Sequence, residues 1–319
     1  MSETLWPLFL LLLGLVLLYL GGEGLVRGSS SLALRLGMSP LVVGLTVVAF
    51  GTSAPEMVVS VEAALAGQGD IAIGNVIGSN SLNIGLILGL TALIYPLKAQ
   101  LQILRIDAPI MVGATLLAAW MLADQRIGRV EGVILVAGLL TYTVSTVLMA
   151  RKCKPAPEVT AEFSESLPAP RGSKWRDVFF ILGGLVLLVA GSRAMVDGAI
   201  ILARSYGISE AIIGLTIVSL GTSMPELTAC LIAALKKEPD IALGNIVGSN
   251  IFNLLGILGA AALAEPLVGT GIKMTDVYVA LAFAVLLLPM IRSGFTLHRW
   301  KGALLMAGYI GYLAWLWPK

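Results

Sequence analysis

One segment of this chain is written twice. Residues 41–96 and 211–266 match at 27 of 56 positions without a gap, at a constant offset of 170. GTSAPE at 51–56 meets GTSMPE at 221–226, DIAIGNVIGSNSLN at 70–83 meets DIALGNIVGSNIFN at 240–253, and Pro96 meets Pro266. The match reaches back to Gly14-Leu-Val-Leu-Leu and Gly184-Leu-Val-Leu-Leu, so two whole halves are related. Any fold must therefore hold two copies of one unit.

That unit is built for lipid. The chain of 319 residues is 57% hydrophobic and 13% charged, with a mean hydropathy of +0.93. An average soluble domain is about 25% charged. A spanning helix needs about 20 largely apolar residues, and ten stretches qualify: 5–26, 41–66, 71–94, 107–123, 130–149, 176–199, 210–235, 241–263, 276–291 and 299–317. The first is too long for a signal peptide, and no basic residue stands before it. Each half holds five spans, and an odd number makes the second half enter the membrane from the opposite side. The expected fold is an all-α integral membrane protein of ten transmembrane helices in two inverted five-helix repeats, residues 1–149 and 176–319. Such inverted halves are common in secondary transporters, which bind their cargo near the midplane between the repeats.

Lys and Arg mark cytoplasmic loops. With both termini outside, 15 of the 21 basic residues fall on the inner side, six of them between Arg151 and Arg176. The 150–175 segment, with Pro155, Pro157, Pro168 and Pro170, reads as a cytoplasmic linker. A net charge of +2 gives no reason to expect nucleic acid. Two cysteines, Cys153 in a polar stretch and Cys230 in an apolar one, make no disulfide framework, and His298 is the single histidine. A zinc or copper site needs more His and Cys than this, so any bound metal ion is a hard one held by oxygens.

The repeated motifs supply those oxygens. In G-T-S-x-P-E, Pro55 has no N–H and strips the Gly51 carbonyl of its helical partner; Pro225 does the same to Gly221. Beside them stand Thr52, Ser53 and Glu56, and Thr222, Ser223 and Glu226. A proline kink with its hydroxyls bonded back to the helix explains everything here except the glutamates. A carboxylate in mid-membrane costs several kcal/mol unless paired. In the next spans Asn75, Ser79 and Asn83, repeated as Asn245, Ser249 and Asn253, lie four residues apart and form one polar stripe. Such a stripe is either interhelical glue or a ligand row. Gly74/Gly78 and Gly244/Gly248 are spaced for close helix packing. No basic residue lies in these spans to neutralise Glu56 and Glu226. Two carboxylates match one Ca²⁺, which tolerates irregular shells of 6–8 oxygens. The hydroxyls, amides and freed carbonyls also suit Na⁺, with protons and K⁺ as further competitors. Asp70 and Asp240 begin their helices and read as N-terminal anions. Glu62 reads as interfacial, and Glu23 and Arg193 are repeat counterparts without a role.

These motifs resemble the paired repeats of the Ca²⁺/cation antiporter superfamily, in its sodium/calcium exchanger branch, which includes prokaryotic calcium/sodium antiporters. The resemblance covers both halves. It implies ten helices in inverted repeats, with ions held between the second, third, seventh and eighth. Carried over by position, the ion site comprises Glu56, Glu226, Thr52, Thr222, Ser53, Ser223, Ser79, Ser249, Asn83 and Asn253, with the main-chain carbonyls of Ala49 and Ser219. It also implies that the first and sixth helices slide as a pair; their glycines (Gly14, Gly21, Gly28; Gly184, Gly191, Gly198) suit either sliding or packing. Both Asn83 and Asn253 stand where K⁺-dependent exchangers and some prokaryotic members carry one Asp, which disfavours K⁺ dependence. The cation/proton branch has an additional Glu where this chain has Gly78 or Gly248, which favours Na⁺ over H⁺.

The expected function is thus a plasma-membrane antiporter exchanging Ca²⁺ for Na⁺ by alternating access, with no cofactor and no obligatory protein partner. The near alternative is H⁺- or K⁺-coupled Ca²⁺ exchange. A passive cation channel would not need inverted repeats. An intramembrane hydrolase using the two glutamates as acid and base would lack any nucleophile–histidine pair or HExxH motif.

Overall fold

The computed structural model describes residues 2–36, 38–152, 173–206 and 219–316. Helix α1 spans Ser2–Leu36. A bent pair follows, α2 (Pro40–Thr52) and α3 (Ala54–Leu65), at 46° to each other. Then come α4 (Gly69–Ile94), α5 (Ile103–Asp124) and α6 (Arg129–Lys152). In the second half are α7 (Lys174–Ser205), a short α8 (Ser219–Thr222), α9 (Met224–Leu235), α10 (Pro239–Ala264), α11 (Met274–Arg292) and α12 (Arg299–Leu316). Every expected span coincides with helix, although residues 210–218 of the seventh lie outside the described residues, as do 153–172 of the 150–175 linker and Cys153.

Seven of these helices are individually long and apolar enough to cross a membrane, and eight if α2 and α3 form one broken span. The α9 helix is apolar but has 12 residues. The 18 residues of α12 include Arg299 and Lys301 in the first turn, which lowers its mean hydropathy. The lipid-facing character is plain in the surface: Leu12, Leu15 and Tyr19 on α1 and Phe179, Leu182 and Val186 on α7 are all exposed. Apolar side chains covering the outer face are stable there only in a hydrocarbon solvent.

Contacts come in pairs related by the 170-residue offset. Helix α1 lies along α7, antiparallel, with glycines where the backbones touch. A Cβ on Gly14 would stand 2.7 Å from the Gly191 carbonyl oxygen, and one on Gly184 would stand 2.7 Å from that of Gly21. Elsewhere a Cβ on Gly89 would meet the Gly302 oxygen at 2.9 Å, and one on Gly132 the Gly259 oxygen at 3.0 Å. Gly244 and Gly248 let α10 reach α2, at Leu41 and Leu45, so for these two glycines packing is the role observed. Two antiparallel ribbons repeat the pattern: β1 (Leu97–Lys98) pairs with β4 (Thr296–Leu297), and β2 (Arg126–Ile127) with β3 (Leu267–Val268). The offset turns the first ribbon into the second.

Asp70 and Asp240 do more than begin their helices. Asp70 accepts the Gly271 N–H at 2.8 Å, and Asp240 accepts the Gln100 amide at 2.6 Å. Each therefore ties its own half to the other. Glu62 is exposed, and Glu23 gains a partner in Lys236 at 2.7 Å.

Candidate ion-binding site

The break between α2 and α3 falls at Ser53, whose backbone (φ −82°, ψ 8°) leaves the helical range just before Pro55. Ser223 repeats it (φ −91°, ψ 7°) before Pro225. These breaks turn the hydroxyls and glutamates of the two motifs toward each other. Ser53 Oγ donates to Glu226 Oε1 at 2.9 Å, and Ser223 Oγ donates to Glu56 Oε1 at 2.9 Å. The bonds cross between the halves, serine of one to glutamate of the other, and the offset exchanges them. Ser223 Oγ also reaches Ser79 Oγ at 3.5 Å.

The freed carbonyl expected at Gly221 is taken by Ser192 of α7, which donates to it. The Ala49 carbonyl accepts the Ser53 N–H at 3.1 Å and the Thr52 hydroxyl at 3.4 Å. Thr52 donates as well to Asn245 Oδ1 at 3.0 Å, and Ser249 reaches the same oxygen at 3.4 Å. Thr222 is only half-buried, unlike Thr52. Ser219 lies in α8, and its side chain is outside the described residues.

Asn83 and Asn253 are fixed by a second crossed pair. Asn83 Nδ2 donates to Asn250 Oδ1 at 3.1 Å, and Asn253 Nδ2 donates to Asn80 Oδ1 at 3.0 Å. Asn80 and Asn250 lie outside the predicted polar stripe. They stand one position beyond Ser79 and Ser249, about 100° round the helix, and so face the neighbouring half rather than the stripe. Their presence in both copies of GSN was the available signal. The stripe's outer members hold α4 to α3 and α10 to α9: Asn75 donates to Ser60 Oγ at 2.9 Å, and Asn245 donates to Cys230 Sγ at 3.3 Å, Cys230 being the counterpart of Ser60.

Short π-helical turns accompany these residues. Gly44–Val48 leads into Ala49, Asn83–Leu88 starts on Asn83, and Phe252–Ile257 contains Asn253. Such turns are common at functional sites.

Four buried oxygens in this cluster have no hydrogen-bond donor: Glu56 Oε2, Glu226 Oε2, Asn83 Oδ1 and Asn253 Oδ1. Both glutamates are only 1% exposed. A carboxylate or amide oxygen only accepts, so a positive charge is what satisfies four of them together. The cluster holds two carboxylates. Among the described residues no three His, Cys, Asp or Glu side chains come together, so the remaining donors are neutral oxygens, as hard cations prefer.

Known proteins share this sequence and fold. The chain matches the family model described as sodium/calcium exchanger protein over residues 6–148 and 177–317. It is 41% identical over 305 residues to the putative antiporter CaxA of Alkalimonas amylolytica, covering 94% of this chain and 95% of that one. It is 32% identical over 338 residues to the sodium/calcium exchanger MaX1 of Methanosarcina acetivorans, covering 95% and 96%. A solved structure of the sodium-calcium exchanger NCX_Mj superposes with a TM-score of 0.85 at 31% identity, covering 98% of this chain and 99% of that one. The chain belongs to the sodium/calcium exchanger family and is a multi-pass membrane protein of the Ca²⁺/cation exchanger kind.

Proposed function

We propose that this protein is a secondary active antiporter that exchanges Ca²⁺ for Na⁺ across the plasma membrane by alternating access. It crosses the membrane ten times, as two inverted halves (1–149 and 176–319) joined on the cytoplasmic side by 150–175, with both termini outside. The ion site is formed by Glu56, Glu226, Thr52, Thr222, Ser53, Ser223, Ser79, Ser249, Asn83 and Asn253, with the carbonyls of Ala49 and Ser219. The observation that carries this reading is the set of four donorless oxygens on Glu56, Glu226, Asn83 and Asn253. Two negative charges balance one Ca²⁺ or two Na⁺, so one ion displaces the other from shared ligands. The names of MaX1 and NCX_Mj point to the same pair of ions.

Glu56, Glu226, Asn83 and Asn253 are each 1% exposed, so exchange requires movement. The α1–α7 pair is the mobile body in this reading. Its glycine-lined seam is tight, whereas a cavity of about 1120 Å³ separates α7 from α2 and α6. Polar latches tie the pair to the rest: Ser192 to the Gly221 carbonyl, Ser30 to Glu238, and Glu23 to Lys236. Burial pushes the Glu238 carboxyl up to about 7, against the lowering effects of Ser30 and Lys236.

Radioactive Ca²⁺ uptake into proteoliposomes, driven in turn by Na⁺, H⁺ and K⁺ gradients, tests this. Uptake should follow the Na⁺ gradient. Glu56→Gln and Glu226→Gln should each abolish most of it; normal uptake in either variant would sink the site assignment. Uptake driven by H⁺ alone, or needing K⁺, would replace Na⁺ as the counter-ion.

A further inference from the structure

Another carboxylate is sealed inside the helices, apart from the ion site. Asp107 is 0% exposed, and its Oδ2 has no hydrogen-bond partner. It lies in the span α5, where an ionisable side chain is costly and points to function. Its Oδ1 accepts from the Tyr142 hydroxyl of α6 at 3.1 Å. The π-helical turn Ile103–Asp107 ends on it; the three other such turns among the described residues all adjoin or contain ion-site residues.

The surroundings say what it binds. No basic side chain pairs with Asp107 among the described residues. Tyr142 is the titratable group that touches it. The polar groups that α10 sets against this segment meet its neighbours, Asn250 at Met111 and Asp240 at Gln100. From α11 comes Arg292, which is exposed and lines a separate cavity with Leu101, Leu104, Arg105 and Pro109. None of the cavities described has Asp107 in its wall. A metal ion needs several oxygens and the volume to hold it; a proton needs neither.

We propose that Asp107 is a proton-binding site, distinct from the Glu56/Glu226 site, occupied by a proton in this sealed conformation. A proton from hydronium, taken up while solvent reaches the site, adds to Oδ2 to give the neutral acid and leaves water behind; the acid keeps the Tyr142 hydrogen bond on Oδ1. Losing it would leave a buried charge without a counter-ion, so release accompanies a conformation in which water reaches Asp107. The route to the ion site is short. Met111, one turn on from Asp107, accepts at Sδ from Asn250 Nδ2 at 3.6 Å, and the same Asn250 fixes Asn83. Proton occupancy of Asp107 is thereby tied to the packing that positions one of the four donorless oxygens.

Infrared spectroscopy of the full-length protein in lipid nanodiscs tests this, and it reads the carboxyl whether or not the protein transports Na⁺. The wild-type minus Asp107→Asn difference spectrum at mildly acidic pH should contain the band of a protonated carboxyl. Carboxylate bands alone would overturn the proposal. Tyr142→Phe removes one hydrogen bond from the carboxylate and should move the titration of that band upward by about one pH unit. An unmoved titration would overturn it too, and this variant serves if Asp107→Asn fails to fold. In vesicles, Asp107→Asn should also flatten one limb of the pH profile of Ca²⁺ uptake; a profile identical to wild type would overturn the coupling.

Discussion

At the scale of single residues, the site rests on oxygens held by the opposite half. Ser53 and Ser223 each give their one hydroxyl proton to a glutamate across the interface. This fixes Oε1 and leaves Oε2 without a donor, open to the ion of the proposed site. A hydrogen bond to a charged group contributes about 1.5–3 kcal/mol, so Ser53→Ala and Ser223→Ala should each weaken Ca²⁺ binding by roughly tenfold or more. Because the repeat exchanges the two bonds, the losses should be similar, and calorimetric titration of the purified variants measures both. A large loss in one with none in the other would mean that the two halves contribute unequally. The glutamates were legible in the sequence because an unpaired carboxylate in an apolar run has few structural explanations. Asn80 and Asn250 were not, because helical spacing selects residues on one face and theirs is the neighbouring one. Lys301 was not legible either: it is 1% exposed and donates to the carbonyls of Met290, Ser293 and Thr296. It thereby closes the C-terminal end of α11, where carbonyls are left over. Its flexible stem makes this possible, and nothing in the local pattern announces it.

At the scale of helices, the glycines of α1 and α7 bear on motion through packing. With nothing but lipid around them, helices associate through close backbone contact, and these two approach until there is no room for a Cβ. On Gly184 a Cβ would lie 2.6 Å from the Leu25 amide nitrogen and 2.7 Å from the Gly21 carbonyl oxygen. Neither neighbour is a side chain that can turn away. On Gly183, one residue earlier, a Cβ would meet nothing within 4 Å. Gly184→Ala should therefore force the seam apart and destabilise the protein by about 1–3 kcal/mol, whereas Gly183→Ala should be neutral or slightly stabilising through helix propensity. Thermal unfolding in detergent compares the two directly; equal midpoints would show that the seam yields. The sequence offered the seven-residue spacing of these glycines but left packing and sliding equally open. The structure assigns them to the contact within the pair, which lets the pair move as one body in the proposed mechanism. The span count was less legible at this scale. Ten apolar stretches are each helical where described; α9 matches the 12-residue α3 of the first half, residues 210–218 before it lie outside the described residues, and α12 carries Arg299 and Lys301 at its start.

At the scale of the whole molecule, the offset of 170 residues is a symmetry operation. It exchanges the serine–glutamate bonds, the Asn80 and Asn250 bonds to Asn253 and Asn83, the two ribbons, and the glycine contacts of α1 with α7. Departures from it mark where the halves have different work. Ser192 donates to the Gly221 carbonyl, but its counterpart is Gly22, which has no side chain to offer Gly51. Gly22 instead faces α9, where a Cβ would lie 3.0 Å from Thr228 Cγ2. That contact joins the proposed mobile pair to the rest of the molecule, and its geometry is within reach of a disulfide. With Cys153 and Cys230 replaced by serine, the latter borrowing its repeat counterpart Ser60, a Gly22→Cys/Thr228→Cys protein should cross-link on mild oxidation. If α1 and α7 slide against α9 during each cycle, the oxidised protein should lose Na⁺-driven Ca²⁺ uptake, and a reductant should restore it. The single-cysteine variants should transport in both redox states. Full uptake by protein shown to be cross-linked would rule out sliding at this contact and leave the remaining helices, or the α7 face alone, to open the site.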